Sequence, residues 1–183
     1  MTLANRLTLT RIVLIPLFVV VFFLPFWWAH FVSAIIFSVA AITDWADGYV
    51  ARKYNQSTPF GAFLDPVADK LMVVIALLLL VSIHHHLVWF VVASAVIVGR
   101  EIVISALREW MAAVGQRASV AVSHIGKLKT TLQMTALIVL LTDIKLLYPV
   151  GFIALGGAAV LTLWSMVLYL RAAWPHLLSE ENQ

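Results

Sequence analysis

The stretch Asp44-Trp45-Ala46-Asp47-Gly48-Tyr49-Val50-Ala51-Arg52, followed after eight residues by Gly61-Ala62-Phe63-Leu64-Asp65-Pro66-Val67-Ala68-Asp69, decides how the chain is read. Its four carboxylates lie within 26 residues of a chain that is 63% hydrophobic and only 11% charged. An Asp at membrane depth costs about 2.5–3.5 kcal/mol on insertion scales. Four of them with almost no cation between would also repel one another. A divalent metal resolves both problems, because it supplies the missing positive charge.

The surrounding composition belongs to an integral membrane protein rather than a soluble globular domain. The 183 residues allow one domain, residues 1–183. There is no cysteine, which excludes a disulfide framework, thiolate chemistry and Cys-based zinc sites. The net charge of +3 needs no nucleic-acid partner, because Lys and Arg collect on the cytoplasmic side of membrane proteins. The first apolar run is long enough to span and has no small-residue cleavage site before its end, so no cleavable signal is expected.

Working outward, the pattern predicts an all-α protein of six transmembrane helices. A short N-terminal interfacial helix precedes them within residues 1–11, where Leu3, Leu7 and Leu9 fall near one face. The spans are read at 12–28, 31–53, from about 61 to 83, 87–111, 130–147 and 150–170. Residues 54–60 and 112–127 are connections, and the tail from Arg171 is polar and frayed. Consecutive His84, His85 and His86 cannot share one helix face and read as a plain loop opposite the acidic end. Trp27, Trp28 and Trp89 read as an outer aromatic belt, Trp110 and Trp174 as an inner one. Gly151, Gly156 and Gly157 would permit close helix packing. Eleven of the twelve Lys and Arg residues fall toward the N-terminal side, and only Lys145 lies at the other. That asymmetry predicts a multi-pass protein with both termini, and the acidic stretch, on the cytoplasmic side.

At about 100° per residue, Asp44, Asp47, Gly48 and Ala51 fall within an arc of about 100° on the second span. Gly61, Asp65 and Asp69 recur at i, i+4, i+8 on the third. A short connection makes the two helices antiparallel neighbours, so the four carboxylates can converge. All-oxygen ligation without His or Cys points to Mg²⁺ or Mn²⁺. Four carboxylates suffice for two ions at close range, an arrangement suited to displacement at phosphorus. One carboxylate can instead take a proton from an attacking hydroxyl.

The spacing Asp44-x2-Asp47-Gly48-x2-Ala51-Arg52-x8-Gly61-x3-Asp65-x3-Asp69 resembles the signature of the CDP-alcohol phosphotransferases at every specified position. The N-terminal Asn5-Arg6-Leu7-Thr8-x-x-Arg11 resembles the segment that usually begins with Pro in that family, with Ala4 in its place. The resemblance implies metal ligation by Asp44, Asp47 and Asp65, with Asp69 completing the metal site and acting as base. It implies a CDP pocket shaped by Gly48, Ala51, Arg52 and Gly61, with Asn5, Thr8 and Thr58 around the nucleotide. It implies transfer of a phosphatidyl group from CDP-diacylglycerol to an alcohol with release of CMP, in a bacterial inner membrane, by a homodimer among membrane lipids.

The acceptor must be chosen elsewhere in the chain. Arg100-Glu101 and Arg108-Glu109 lie on the fourth span, and buried ions pair with one another. Lys127 and Lys129 are unpaired in sequence. They can be positive-inside anchors, or they can form a basic pocket for an acceptor that carries its own phosphate. Arg100, Arg108, Lys127 and Lys129 are therefore the candidate acceptor-phosphate residues. The strings 60–70, 105–110 and 126–130 resemble the branch of the family whose acceptor is sn-glycerol 3-phosphate. Inositol phosphate, serine and phosphatidylglycerol are the alternative acceptors. A Mg²⁺ channel or transporter is the rival class, but it would need acids along a path through the membrane.

Overall fold

The computed structural model describes the backbone of residues 3–54, 59–113 and 124–179. It describes the side chains of residues 10–43, 67, 68, 70–107, 109–111, 126 and 128–171. Among the described residues the fold is entirely helical. The elements are α1 (Leu3–Phe22), α2 (Ala29–Tyr54), α3 (Pro59–His84), α4 (Val88–Ala113), α5 (His124–Leu141) and α6 (Tyr148–Ser179), with a short 3-10 turn at Lys145–Leu147.

The chain forms two compact units. The first comprises Met1–His84 with Leu137–Gly151. Here α1 packs on both α2 and α3, which also touch each other. The buried stripe of α1 is Arg11, Ile15, Phe18 and Phe22, a recurrence every three to four residues. Opposite it α2 buries Ala29, Ser33, Phe37 and Ala40, with Phe18 and Phe37 ring centroids 6.1 Å apart. The small residues of α2 let the backbones approach, as helices do in lipid. The stripe of α3 is wider and includes Ala68, Met72, Ala76, Leu77 and Leu80.

The second unit comprises His85–Ala136 with Phe152–Gln183. At one end it is held by aromatic edges, with Trp89 and Phe90 at 5.3 and 5.8 Å from Phe152. Further along, the interior turns polar. Arg100 continues the α4 stripe of Phe90, Ala93 and Ile97. Lys129 and Gln133 begin the α5 stripe that Ala136 continues, and Thr162 and Ser165 follow Leu155 and Ala158 on α6.

The outward faces are as apolar as the inward ones. Val13, Leu17 and Val20 on α1, Phe31, Ile35 and Val39 on α2, and Ile153, Val160 and Trp164 on α6 are all exposed. Helices that are hydrophobic all round, with apolar surface on this scale, belong to a membrane protein. Among the described residues two segments, Val88–Met111 and Lys145–Arg171, are long and apolar enough to cross a bilayer, and four shorter apolar helical segments accompany them.

Several boundaries differ from the sequence expectation. No separate interfacial helix forms: residues 3–22 are one helix, because nothing between Leu9 and Ile12 breaks it. That helix ends at Phe22 rather than Trp28. Pro25 lacks a donor and disfavours helix at the residue before it, and a turn closed by the Leu24 amide on the Val21 carbonyl (3.2 Å) follows instead. The 112–127 connection is shorter, since α4 reaches Ala113 and α5 starts at His124. The fifth helix stops at Leu141, not Leu147. Asp143 adopts φ 57°, a left-handed conformation that Asp tolerates better than most residues. The Thr142 hydroxyl and the Asp143 amide donate to the Val139 and Leu140 carbonyls (2.7 and 3.2 Å) and close that helix end. The tail is helical to Ser179 rather than frayed from Arg171. His84 is the buried last residue of α3, and its ring meets Tyr148 edge-on at 5.3 Å, while Tyr148 donates its hydroxyl hydrogen to Asp143.

Gly151 shows why α6 can start where it does. A Cβ there would lie 2.6 Å from the Leu140 side chain at the end of α5. A Cβ on Gly156 would meet nothing within 4 Å. Gly151→Ala is therefore expected to destabilise the protein by about 1–3 kcal/mol through overpacking, lowering the thermal midpoint by several degrees. Gly156→Ala is expected to leave it unchanged or slightly raised, because Ala loses less backbone entropy. Equal effects of the two in a thermal melt would contradict the close approach at Gly151.

Candidate active site

Helices α2 and α3 run unbroken through the acidic stretch. Asp44, Asp47, Gly48, Ala51 and Arg52 occupy the last three turns of α2, and Gly61, Asp65 and Asp69 the first three of α3. Four residues, 55–58, join them. The register is informative. On α2 the buried positions Ser33, Phe37 and Ala40 are continued at the same spacing by Asp44, Asp47 and Ala51. On α3 Met72, Ala76 and Leu80 are preceded at the same spacing by Asp69 and Asp65. In each helix one stripe of positions changes from apolar to acidic toward the α2–α3 connection. Asn5 and Thr8 lie in the first turns of α1, and Thr8 precedes the buried Arg11 by three residues. Thr58 lies outside the described residues, as do the side chains of Asn5, Thr8, the four aspartates, Gly48, Ala51, Arg52 and Gly61.

The donor set fits a hard divalent cation. It consists of carboxylates spaced i, i+3 on one helix and i, i+4 on its neighbour, with no His or Cys among the four positions. Such spacing puts both positions of each helix on one side of it.

In the second unit, the candidate acceptor residues divide. The side chains of Arg108 and Lys127 lie outside the described residues. Arg100 and Lys129 are 9% and 4% exposed, and one atom joins them. Oε1 of Glu101 accepts a hydrogen bond from Nη1 of Arg100 and another from Nζ of Lys129, each at 2.8 Å. Lys129, unpaired when the sequence alone is considered, is thus ion-paired across helices α5 and α4. The Arg100 Nη2 also donates to Ser165 Oγ at 3.4 Å, and its guanidinium lies 5.7 Å from the Tyr169 ring centre. Two buried cations share one carboxylate. Buried charge of that kind is stable only with counter-charge and hydrogen bonds, and removing one partner of such a pair typically costs about 3–5 kcal/mol.

Three residues escape the sequence reading. Arg11, counted in the sequence only among the cytoplasmic-side cations and as the end of the N-terminal motif, is almost fully buried at 1% exposed. Ser165 and Tyr169 are ordinary α6 residues until Arg100 is placed beside them. The available signal is helical register: Lys129 and Arg11 each fall on the stripe that buries apolar neighbours, where an anchor on the outer surface would not.

An all-helical membrane protein with four carboxylates on two adjacent helices, and buried cations elsewhere, fits an enzyme that handles phosphate esters within a bilayer. The sequence profile described as CDP-alcohol phosphatidyltransferase matches residues 1–167, and the chain belongs to that family. A Salmonella paratyphi A protein named CDP-diacylglycerol--glycerol-3-phosphate 3-phosphatidyltransferase is 60% identical over 175 residues, covering 95% of this chain and 96% of its own. Proteins of the same name from Shigella flexneri and Escherichia coli are each 58% identical, with the same coverage.

Proposed function

We propose that this protein transfers the phosphatidyl group of CDP-diacylglycerol to sn-glycerol 3-phosphate, giving phosphatidylglycerophosphate and CMP in anionic phospholipid synthesis. The observation that carries this is 58–60% identity, over 95% of the chain, to proteins named for that reaction. Uninterrupted helices through both halves of the carboxylate pattern support it.

The hydroxyl of the acceptor loses its proton to Asp69 and attacks the β-phosphorus of CDP-diacylglycerol. The bond from that phosphorus to the CMP oxygen breaks, and CMP leaves with the electron pair of that bond; a divalent cation held by the carboxylates would balance its charge. Asp44, Asp47, Asp65 and Asp69 would hold two Mg²⁺ or Mn²⁺ ions, whose chemistry is to neutralise the diphosphate and stabilise the leaving oxygen. Gly48, Ala51 and Gly61 leave the helix backbones open to the nucleotide, and Arg52, Asn5, Thr8 and Thr58 bind it. Arg100, Arg108, Lys127 and Lys129 bind the phosphate of the acceptor, for which Arg forks and Lys point charges are suited. The chain acts as one domain of six spans in a bacterial inner membrane, with termini and active site cytoplasmic, and as a homodimer. The Lys and Arg asymmetry supports that orientation.

A panel of acceptors with labelled CDP-diacylglycerol tests this reading. Labelled phosphatidylglycerophosphate should form with sn-glycerol 3-phosphate, and no lipid product with serine, inositol phosphate or phosphatidylglycerol. Product with one of those instead would reassign the acceptor, and no product with any would overturn the class.

A further inference from the structure

The buried trio of the second unit holds a residue that neither the carboxylate pattern nor the acceptor set contains. We propose that Glu101 is a positioning residue, which holds Arg100 and Lys129 together so that both meet the acceptor phosphate. This rests on the proposed role of those two cations.

Three observations point to it. First, one oxygen does the holding: Nη1 of Arg100 and Nζ of Lys129 both lie 2.8 Å from Glu101 Oε1. Two like charges that close would separate without an anion between them. Second, Arg100 is held in one orientation from three sides, by Glu101 at Nη1, by Ser165 at Nη2 and by the Tyr169 ring. Third, the edge left over is the one an oxyanion uses. Arg100 Nε is buried and has no hydrogen-bond partner among the described residues, and the Nη2 bond beside it is long at 3.4 Å. An orphaned buried donor next to a weakly engaged one forms a fork that fits a phosphate bidentately. Glu101 occupies the other end of the guanidinium and so directs that fork.

The sign of the effect separates positioning from simple neutralisation. Glu101→Gln removes one negative charge from beside the two cations. Were Glu101 only a neutralising partner, the anionic acceptor would then bind more tightly and its KM would fall. Positioning predicts the opposite.

The test is steady-state kinetics of the full chain in lipid nanodiscs, varying sn-glycerol 3-phosphate and CDP-diacylglycerol separately. Glu101→Gln is expected to raise the KM for sn-glycerol 3-phosphate about ten-fold or more, with kcat and the KM for CDP-diacylglycerol within about three-fold. Glu101→Asp, which keeps the charge on a shorter arm, should fall between, and it carries the same comparison if Glu101→Gln does not fold. An unchanged or lowered acceptor KM in these variants overturns the proposal. So does a loss confined to kcat. Lys129→Met runs in parallel. If it raises the acceptor KM while the Glu101 variants do not, positioning fails and the acceptor site stands. If Lys129→Met leaves the acceptor KM unchanged, the acceptor-site reading fails and positioning falls with it.

Discussion

Asp69→Asn is expected to lower kcat by roughly 10³-fold or more while leaving the protein folded. A positioned general base contributes about 10²–10⁴-fold, and loss of a metal-ligand oxygen would add to that. Asparagine has the shape of aspartate and is tolerated in a helix, but it cannot accept the proton of the acceptor hydroxyl. The stability argument runs the other way. Asp69 is one of four like charges on two adjacent helices. Without a divalent ion, neutralising one should relieve repulsion, so the melting temperature in chelator should not fall. Asp44→Asn provides the contrast, since Asp44 is assigned to the metal alone. Its activity should partly return at raised Mg²⁺, whereas that of Asp69→Asn should not. CMP release by Asp69→Asn at near wild-type rate would remove both roles from Asp69. Rescue by Mg²⁺ would leave Asp69 a ligand and require another base.

What the sequence makes legible follows from what is local. The i, i+3 and i, i+4 spacing of Asp44, Asp47, Asp65 and Asp69 needs only helical geometry, and both helices run through it as expected. The helical class needs only composition. Helix ends are harder, because they depend on single residues acting against an apolar run. Pro25 ends α1 six residues before the hydrophobic pattern does, and Asp143 ends α5 by taking a left-handed conformation inside a stretch that still reads as span. Long-range pairing is harder still. Glu101 is adjacent to Arg100 in sequence, so that pair is visible at once. Its bond to Lys129 joins residues 28 apart, and no period in the sequence encodes it. Lys129 could be known as buried from its place one turn before Gln133 and two before Ala136 and Leu137. A Lys on that stripe demands a partner, but register alone does not say which acid answers.

The two charged systems differ in how their charge is balanced. In the trio of Arg100, Glu101 and Lys129 one carboxylate of the protein accepts from both cations. The carboxylate pattern has four negative charges and, within 26 residues, only Arg52, Lys53 and no other Lys or Arg before Lys70. On the proposed reading, a bound divalent ion balances the remainder. Chelation of divalent metal is therefore expected to stop transfer completely, and Mg²⁺ or Mn²⁺ to restore it. The same ions should raise the melting temperature, because a ligand bound only by the folded state stabilises it by mass action, about 2.7 kcal/mol at a hundred times its Kd. Both readouts should weaken in Asp44→Asn and Asp47→Asn, while Glu101→Gln should leave the metal-induced shift intact, since it acts on the other system. Zn²⁺ should substitute poorly, because an all-carboxylate site lacks the nitrogen and sulfur donors that zinc favours. Full activity in chelator, or a metal-induced shift that persists in Asp44→Asn and Asp47→Asn, would mean that the four carboxylates are balanced by something other than a bound divalent ion.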